Sequence, residues 1–301
     1  MKATTIIWLV LKIALATALL FLSTTILFGQ EKVEKVEKVE KVYKTEKMEK
    51  GFCSSGWGNS EKANVRDLRE MKIPATGSLA VDGKQNGGIR VVGTDRSDVL
   101  IRACVTAWGT SEEIAQSLVN SVRISTGSLI TADAASDRDW SVSYEISVPV
   151  NTNLNLKAQN GGIGISSVDG TLEFETQNGG VSLWNVAGDV KGRTTNGGVH
   201  VALAGNNWKG AGLDVTTTNG GVHLQIPETY AANIETGTTN GGFHSNIPAL
   251  NVTREDMKGA ERHNRPTRLN TSLNGGGAPI RLMTTNGGVH ISSTGSEKAV
   301  Y

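Results

Sequence analysis

Four of the chain's five histidines recur at one place in a repeated pattern. His200, His223, His244 and His290 each stand four residues after the Asn of an Asn-Gly-Gly triplet. Imidazole is a ligand for zinc and copper. If neighbouring repeats stack at the ~4.8 Å spacing of adjacent strands, His200, His223 and His244 come close enough to share a metal. Against this, no Cys or carboxylate recurs beside them to orient the rings. A ladder of like residues also arises by duplication of a repeat. Adjacent imidazolium ions repel, so the column is equally a pH-sensitive surface.

Acids are the next candidates. Glu173 and Glu175 lie two residues apart on one predicted strand. Retaining glycosidases hold two carboxyls ~5–5.5 Å apart, but an outward i,i+2 pair is usually a solvated face. Asp169, Asp189, Asp214, Glu228 and Glu235 are scattered. No G-x-S-x-G, H-E-x-x-H or Walker pattern is present. The reading is therefore non-enzymatic, with no catalytic residue and no cofactor. A polysaccharide-active β-helix enzyme is the alternative, and it needs two acids in one groove. Trp184 falls two residues beyond the histidine position, on the same face. It could stack on a sugar, although burial is the commoner fate of a Trp. Trp208 falls in a long corner, and Trp57, Trp108 and Trp140 fall upstream of the repeats.

The elements that must position these residues are legible as a repeat. Asn-Gly-Gly starts at Asn86, Asn160, Asn178, Asn196, Asn219, Asn240, Asn274 and Asn286. From Asn160 the steps are 18, 18, 23 and 21 residues, the mark of stacked units. Three residues after the Asn come Ile163, Val181, Val199, Val222, Phe243 and Val289; six before it come Leu154, Leu172, Val190, Leu213, Ile234 and Ile280. Alternate positions on both flanks are apolar, so each flank is a strand with one buried face. Thr176, Thr194, Thr217, Thr238 and Thr284 continue the inward row. Asn160, Asn178, Asn196, Asn219, Asn240 and Asn286 are structural corners, where Asn and Gly tolerate positive φ. Second corners follow at Val168-Asp169-Gly170, Ala187-Gly188-Asp189 and Gly205 to Gly212.

An antiparallel meander also fits, but it leaves an apolar face uncovered. A solenoid buries its inner face against itself and stacks Asn and Thr in hydrogen-bonding ladders. The expected fold class is all-β: a parallel β-solenoid of Asn-Gly-Gly repeats over residues 151–293, with a small mixed β/α N-terminal cap at residues 51–150. In the cap, Thr110-Ser111-Glu112-Glu113 resembles a capping box, ahead of a helical face of Ile114, Ala115, Leu118 and Val119. Asn274 is off step and reads as a corner of the second type. Residues 249–267 form a lateral excursion, and 294–301 a tail.

Upstream, Ile6 to Phe28 is almost continuously apolar and long enough for the ~20 residues of a membrane span. Residues 1–30 fit a cleaved signal peptide or a retained anchor. Residues 31–50 repeat Glu-Lys-Val and then loosen into a Lys/Glu run, a charged low-complexity spacer. Both readings place the domain outside the cytoplasm. Lys+Arg is 30 and Asp+Glu 29, a net charge of +1, which excludes a basic nucleic-acid footprint. The expected partner is a cell-envelope or surface component. Cys53 and Cys104 could pair there, closing a loop of about 51 residues worth ~4 kcal/mol by chain entropy, or stay as two thiols.

Three segments resemble the DUF4097 family of adhesin-like β-strand repeats. They are Gly77-Ser78-Leu79-Ala80-Val81 leading to Asn86-Gly87-Gly88-Ile89-Arg90-Val91, Val148 to Leu156 before Asn160-Gly161-Gly162-Ile163, and Thr284-Thr285-Asn286-Gly287-Gly288-Val289. The resemblance covers about residues 70–293. It implies an exported β-repeat domain of bacterial envelopes and carries over no catalytic residue. Gly or another apolar residue stands where many relatives have Asp after Asn-Gly, which leaves these corners less acidic.

Overall fold

The computed structural model describes residues 51–54, 62–250 and 267–294. The chain divides into two units, Met1–Gly56 and Trp57–Tyr301. Of the first, only a turn at residues 51–54 is described. The apolar run at residues 1–30 and the spacer at 31–50 lie outside the described residues. So do Trp57, nearly all of the excursion at 249–267, and the tail beyond residue 294.

The second unit opens with β1 (Ala63–Pro74), β2 (Ser78–Asp82), β3 (Ile89–Thr94) and β4 (Asp98–Gly109). Helix α1 (Glu112–Ser121), β5 (Arg123–Thr126), β6 (Ile130–Asp133) and β7 (Trp140–Pro149) follow. Strands then come in pairs about the corners: β8 (Asn153–Ala158) with β9 (Ile163–Ser166), β10 (Asp169–Thr176) with β11 (Val181–Trp184), β12 (Ala187–Asn196) with β13 (Val199–Ala202), β14 (Gly212–Asn219) with β15 (Val222–Ile226), and β16 (Ala232–Asn240) with β17 (Phe243–Ser245). A short 3-10 helix (Pro248–Leu250) precedes β18 (Thr267–Leu273), and the last pair is β19 (Pro279–Asn286) with β20 (Val289–Ser293).

These strands form two ten-stranded mixed sheets, an all-β, solenoid-like arrangement. The first runs β1-β4-β7-β3-β9-β11-β13-β15-β20-β17, and the second β18-β16-β19-β14-β12-β10-β8-β2-β6-β5. Within the array each strand is parallel to the matching strand of the next repeat, with like positions opposite one another: Leu154↔Leu172, Val181↔Val199, Val222↔Val289. Among the described residues, antiparallel strands occur only towards the ends, where β1 pairs β4, β4 pairs β7, β5 pairs β6 and β18 pairs β16.

Two expectations are corrected. The array does not begin at residue 151. Strands β2 and β3 already belong to it, Leu79 facing Leu154 and Ile89 facing Ile163, so the Asn86 triplet is a true corner inside the presumed cap. Nor does spatial order follow chain order at the far end. The last pair, β19 and β20, is inserted between β14–β15 and β16–β17.

The core follows from the alternation. Ile163, Val181, Val199, Val222 and Val289 are all at most 2% exposed, and with the inward residues of the other sheet they form one hydrophobic cluster. Each such side chain contributes roughly 1.5–3 kcal/mol on burial. One step of the column alternates large and small. The ring of Phe174 fills the space over Gly192 on the neighbouring strand, where any Cβ would overlap it.

In the cap, Ser111 caps α1 by accepting from the Ile114 amide. Ala115 and Val119 are buried, but Ile114 is 53% exposed, so the buried face is narrower than the apolar pattern predicts. Arg69 of β1 donates to the carbonyls of Val119 and Val122 at 2.8 and 2.6 Å, satisfying acceptors at the helix end.

Candidate functional site

The corner side chains form one continuous amide ladder. Asn160 donates through Nδ2 to Oδ1 of Asn86 at 3.2 Å, Asn178 to Asn160 at 2.7 Å and Asn196 to Asn178 at 2.7 Å. Asn219 donates to Asn196, Asn286 to Asn219 and Asn240 to Asn286, each at 2.8 Å. The expected Asn corners thus share one column, joined by Asn86. Asn274 stays out of it, bonding instead to the carbonyls of Glu228 and Tyr230.

The expected threonine ladder does not form. The hydroxyls of Thr176, Thr194, Thr217, Thr284 and Thr238 donate instead to the carbonyls of Gly161, Gly179, Gly197, Gly220 and Gly287, at 2.7–2.8 Å. A buried hydroxyl one strand spacing from its twin finds a better acceptor in the corner backbone beside it.

The glycines of each triplet have different reasons. None of those in the Asn column has positive φ. A Cβ on the first glycine (Gly179, Gly197, Gly220 or Gly287) would overlap the carbonyl of the first glycine next door. Close approach of neighbouring backbones, not left-handed geometry, requires Gly there. A Cβ on the second glycine (Gly180, Gly198, Gly221 or Gly288) would sit 3.3–3.5 Å from a carbonyl oxygen, a tight but reachable contact. These second glycines are exposed. The positive φ expected at the Asn corners occurs at the second corners, in Ser167 (55°) and Asn185 (50°).

Two residues beyond the second glycine runs the histidine row. Register pairs Ser182 with His200, His200 with His223, His223 with His290, and His290 with His244. Ring centroids are 4.8 Å apart for His200–His223, 4.8 Å for His223–His290 and 5.1 Å for His290–His244. The expected neighbours His223 and His244 are therefore not adjacent; His290 stands between them, because the last strand pair is inserted. Nε2 of His223 lies 3.3 Å from the hydroxyl of Ser292. Trp184 joins the row at 6.4 Å from His200, its ring inclined only 12° to the imidazole. It is 46% exposed, against the usual fate of a Trp, whereas Trp208 is buried and donates to the carbonyl of Gly188.

A shallow trough of about 750 Å³ follows the row. Its lining includes the second glycines, the four histidines and Phe243, but no Asp, Glu, Lys or Arg. Among the described residues no three His, Cys, Asp or Glu side chains are grouped so as to hold one metal ion. Both Cys53 and Cys104 are disulfide-bonded.

The outer face of the other sheet differs. Glu175 pairs with Arg193 at 2.7 Å, and Asp214 with Arg281 at 2.7 Å. The hydrogen bond that Arg281 donates to Asp214 raises the guanidinium above its ordinary value, helped by the charges of Asp214 and Glu235. Glu173 and Glu175 thus share a face on which acids meet bases in neighbouring strands. The larger cavity, about 850 Å³, lies between Ile73, Leu79, Val99 and Leu154, with Glu173 its sole acid.

The chain is similar to two solved structures, a candidate cell adhesion protein of Clostridium sporogenes and a candidate adhesin of Bacteroides fragilis. The first is 11% identical, with a TM-score of 0.41, over 76% of this chain and 100% of that one. The second is 12% identical, with a TM-score of 0.29, over 76% and 97%. No curated protein matches the chain. The family model described as Toastrack DUF4097 matches residues 70–292, a span that holds the Asn corners and the ring row, and the chain belongs to the Toastrack DUF4097 family.

Proposed function

We propose that this chain is an exported, non-enzymatic parallel β-solenoid of Asn-Gly-Gly coils that serves cell-envelope or surface interaction, as an adhesin-like or scaffold domain. The observation that carries the reading is the contrast between its two outer faces. One carries paired charges. The other carries an unbroken row of five rings beside an uncharged trough. The disulfide-bonded cysteines support an oxidising compartment, and the apolar run at 6–28 supports export or anchoring. Arginine partners of Glu175 and Asp214 support a face without acid–base work. The test is fractionation of cells expressing the full chain, with protease added to intact cells. Degradation from outside, or release with the periplasm, is expected; a cytosolic, protease-protected chain overturns the reading.

The imidazole row favours a second reading, capture of a transition-metal ion between neighbours of the set His200, His223, His290 and His244. Calorimetric titration with zinc and copper, comparing the native chain with His223→Ala, tests it. Absence of heat from both rejects it.

A further inference from the structure

Four features of the ring-bearing face point to one class of ligand. The floor of the trough is bare backbone at Gly180, Gly198, Gly221, Gly288 and Gly242. Backbone packing demands the first glycine of each triplet, but much less strictly the second. On one side stand four imidazoles at a regular 4.8–5.1 Å, and the exposed Trp184 stacks on His200 at 6.4 Å, just outside the trough's lining. On the other, two residues upstream, runs the exposed Asn column. Each interior Asn spends one N–H and one oxygen lone pair on the ladder. An amide has two of each, so every strand pair keeps a donor and an acceptor for a ligand. Finally, the lining carries no fixed charge.

We propose that this trough binds a linear, neutral polysaccharide laid across the strands. A pyranose has apolar C–H faces for rings and hydroxyls that both donate and accept for the amide column. A chain of such rings repeats at roughly the spacing of adjacent strands. The volume lies within the usual range of ligand clefts. Trp184, large and amphipathic at the end of the row, is the anchor. A polyanion would find no fixed cation in the trough. The proposal rests on the surface-interaction reading and names its ligand class.

The experiment is calorimetric titration of the purified full chain with cellohexaose, chitohexaose and an oligogalacturonate. Binding of at least one neutral hexaose is expected. Trp184→Ala should weaken it tenfold or more, as should Gly198→Gln, which places a side chain on the floor. Arg193→Ala on the opposite sheet should leave it unchanged. Circular dichroism confirms that each variant is folded. No heat with either neutral hexaose overturns the proposal. So does equal affinity in folded Trp184→Ala and Gly198→Gln, or a preference for the acidic oligomer that salt abolishes. Should the chain prove surface-exposed by the protease assay while no neutral hexaose binds, only this ligand assignment falls; a cytosolic chain removes the surface reading as well.

Discussion

The hydroxyl of Thr194 donates to the carbonyl of Gly179 at 2.8 Å, and that same carbonyl occupies the space a Cβ on Gly197 would need. One oxygen therefore explains both a buried polar residue and an obligatory glycine. Gly197→Ala is expected to exceed the ~1–3 kcal/mol of ordinary overpacking, because backbone rather than a side chain must move. Gly198→Ala should change stability by less than about 1 kcal/mol. Thr194→Val should cost about 1–3 kcal/mol by leaving the carbonyl unsatisfied. Urea denaturation of the three variants checks the order; equal losses at Gly197 and Gly198 would contradict it.

Phe174 and Gly192 are packed as a pair across β10 and β12. Gly192→Val alone should destabilise strongly, and Phe174→Val alone should leave a void. The double variant is expected to be more stable than the sum of the two losses implies, with a coupling of about 0.5–3 kcal/mol. A double-mutant cycle by chemical denaturation measures it, and strict additivity would show that the two do not share space.

The inserted strand pair makes a covalent prediction. Thr218 and Thr285 precede the hydrogen-bonded Asn219 and Asn286, so their backbones should lie about one strand spacing apart, within disulfide reach. Thr218→Cys with Thr285→Cys should cross-link on mild oxidation. Thr218→Cys with Thr239→Cys should not, because a strand lies between them. Peptide mapping under non-reducing conditions reads the outcome; the reverse pattern would restore chain order to the array.

Tyr144 points inward from β7, and its buried hydroxyl has no hydrogen-bond partner among the described residues. Burial, with smaller effects of Asp82 and Asp133, raises its ionisation well above the ordinary value. Tyr144→Phe should remove an unsatisfied group and raise stability by about 1–3 kcal/mol. For a unit of this size, each kcal/mol is ~2–4 °C of melting temperature. A lower melting temperature would mean that the hydroxyl has a partner after all.

Burial pushes the Tyr230 phenol up to about 12 from an ordinary value near 10. The unfolded chain therefore loses its proton first as pH rises. The resulting contribution is fully present below pH 10 and is lost as pH climbs towards 12. Tyr230→Phe should soften alkaline unfolding in that window and leave the acid limb alone. Denaturation midpoints measured from pH 8 to 12 decide it.

Much of this arrangement was legible in residue spacing. Inward Val and Leu at alternate positions implied two walls, and Asn at a fixed offset implied a column, since identical strand pairs align only in one register. Ser111 announced the helix start through local hydrogen bonding. The insertion of β19–β20 was not legible, because Asn219, Asn240 and Asn286 carry near-identical flanks, and any two of them could be neighbours. Membership of β2 and β3 in the array was obscured by the long stretch between Asn86 and Asn160. The exposure of Trp184 depended on which side chains cover its face, and alternation alone does not tell a covered outer face from an open one.

The position of the last strand pair has a consequence for how the molecule is made. Residues 279–293, synthesised after β16, β17 and β18, occupy an interior slot. Growth from the N-terminal end can lay down the repeats as far as β15. It cannot then seat β16–β17 in their final place, because their neighbours have not yet been synthesised. Completion must wait until residues 279–293 have been made, so the far end of the array is the last part able to close.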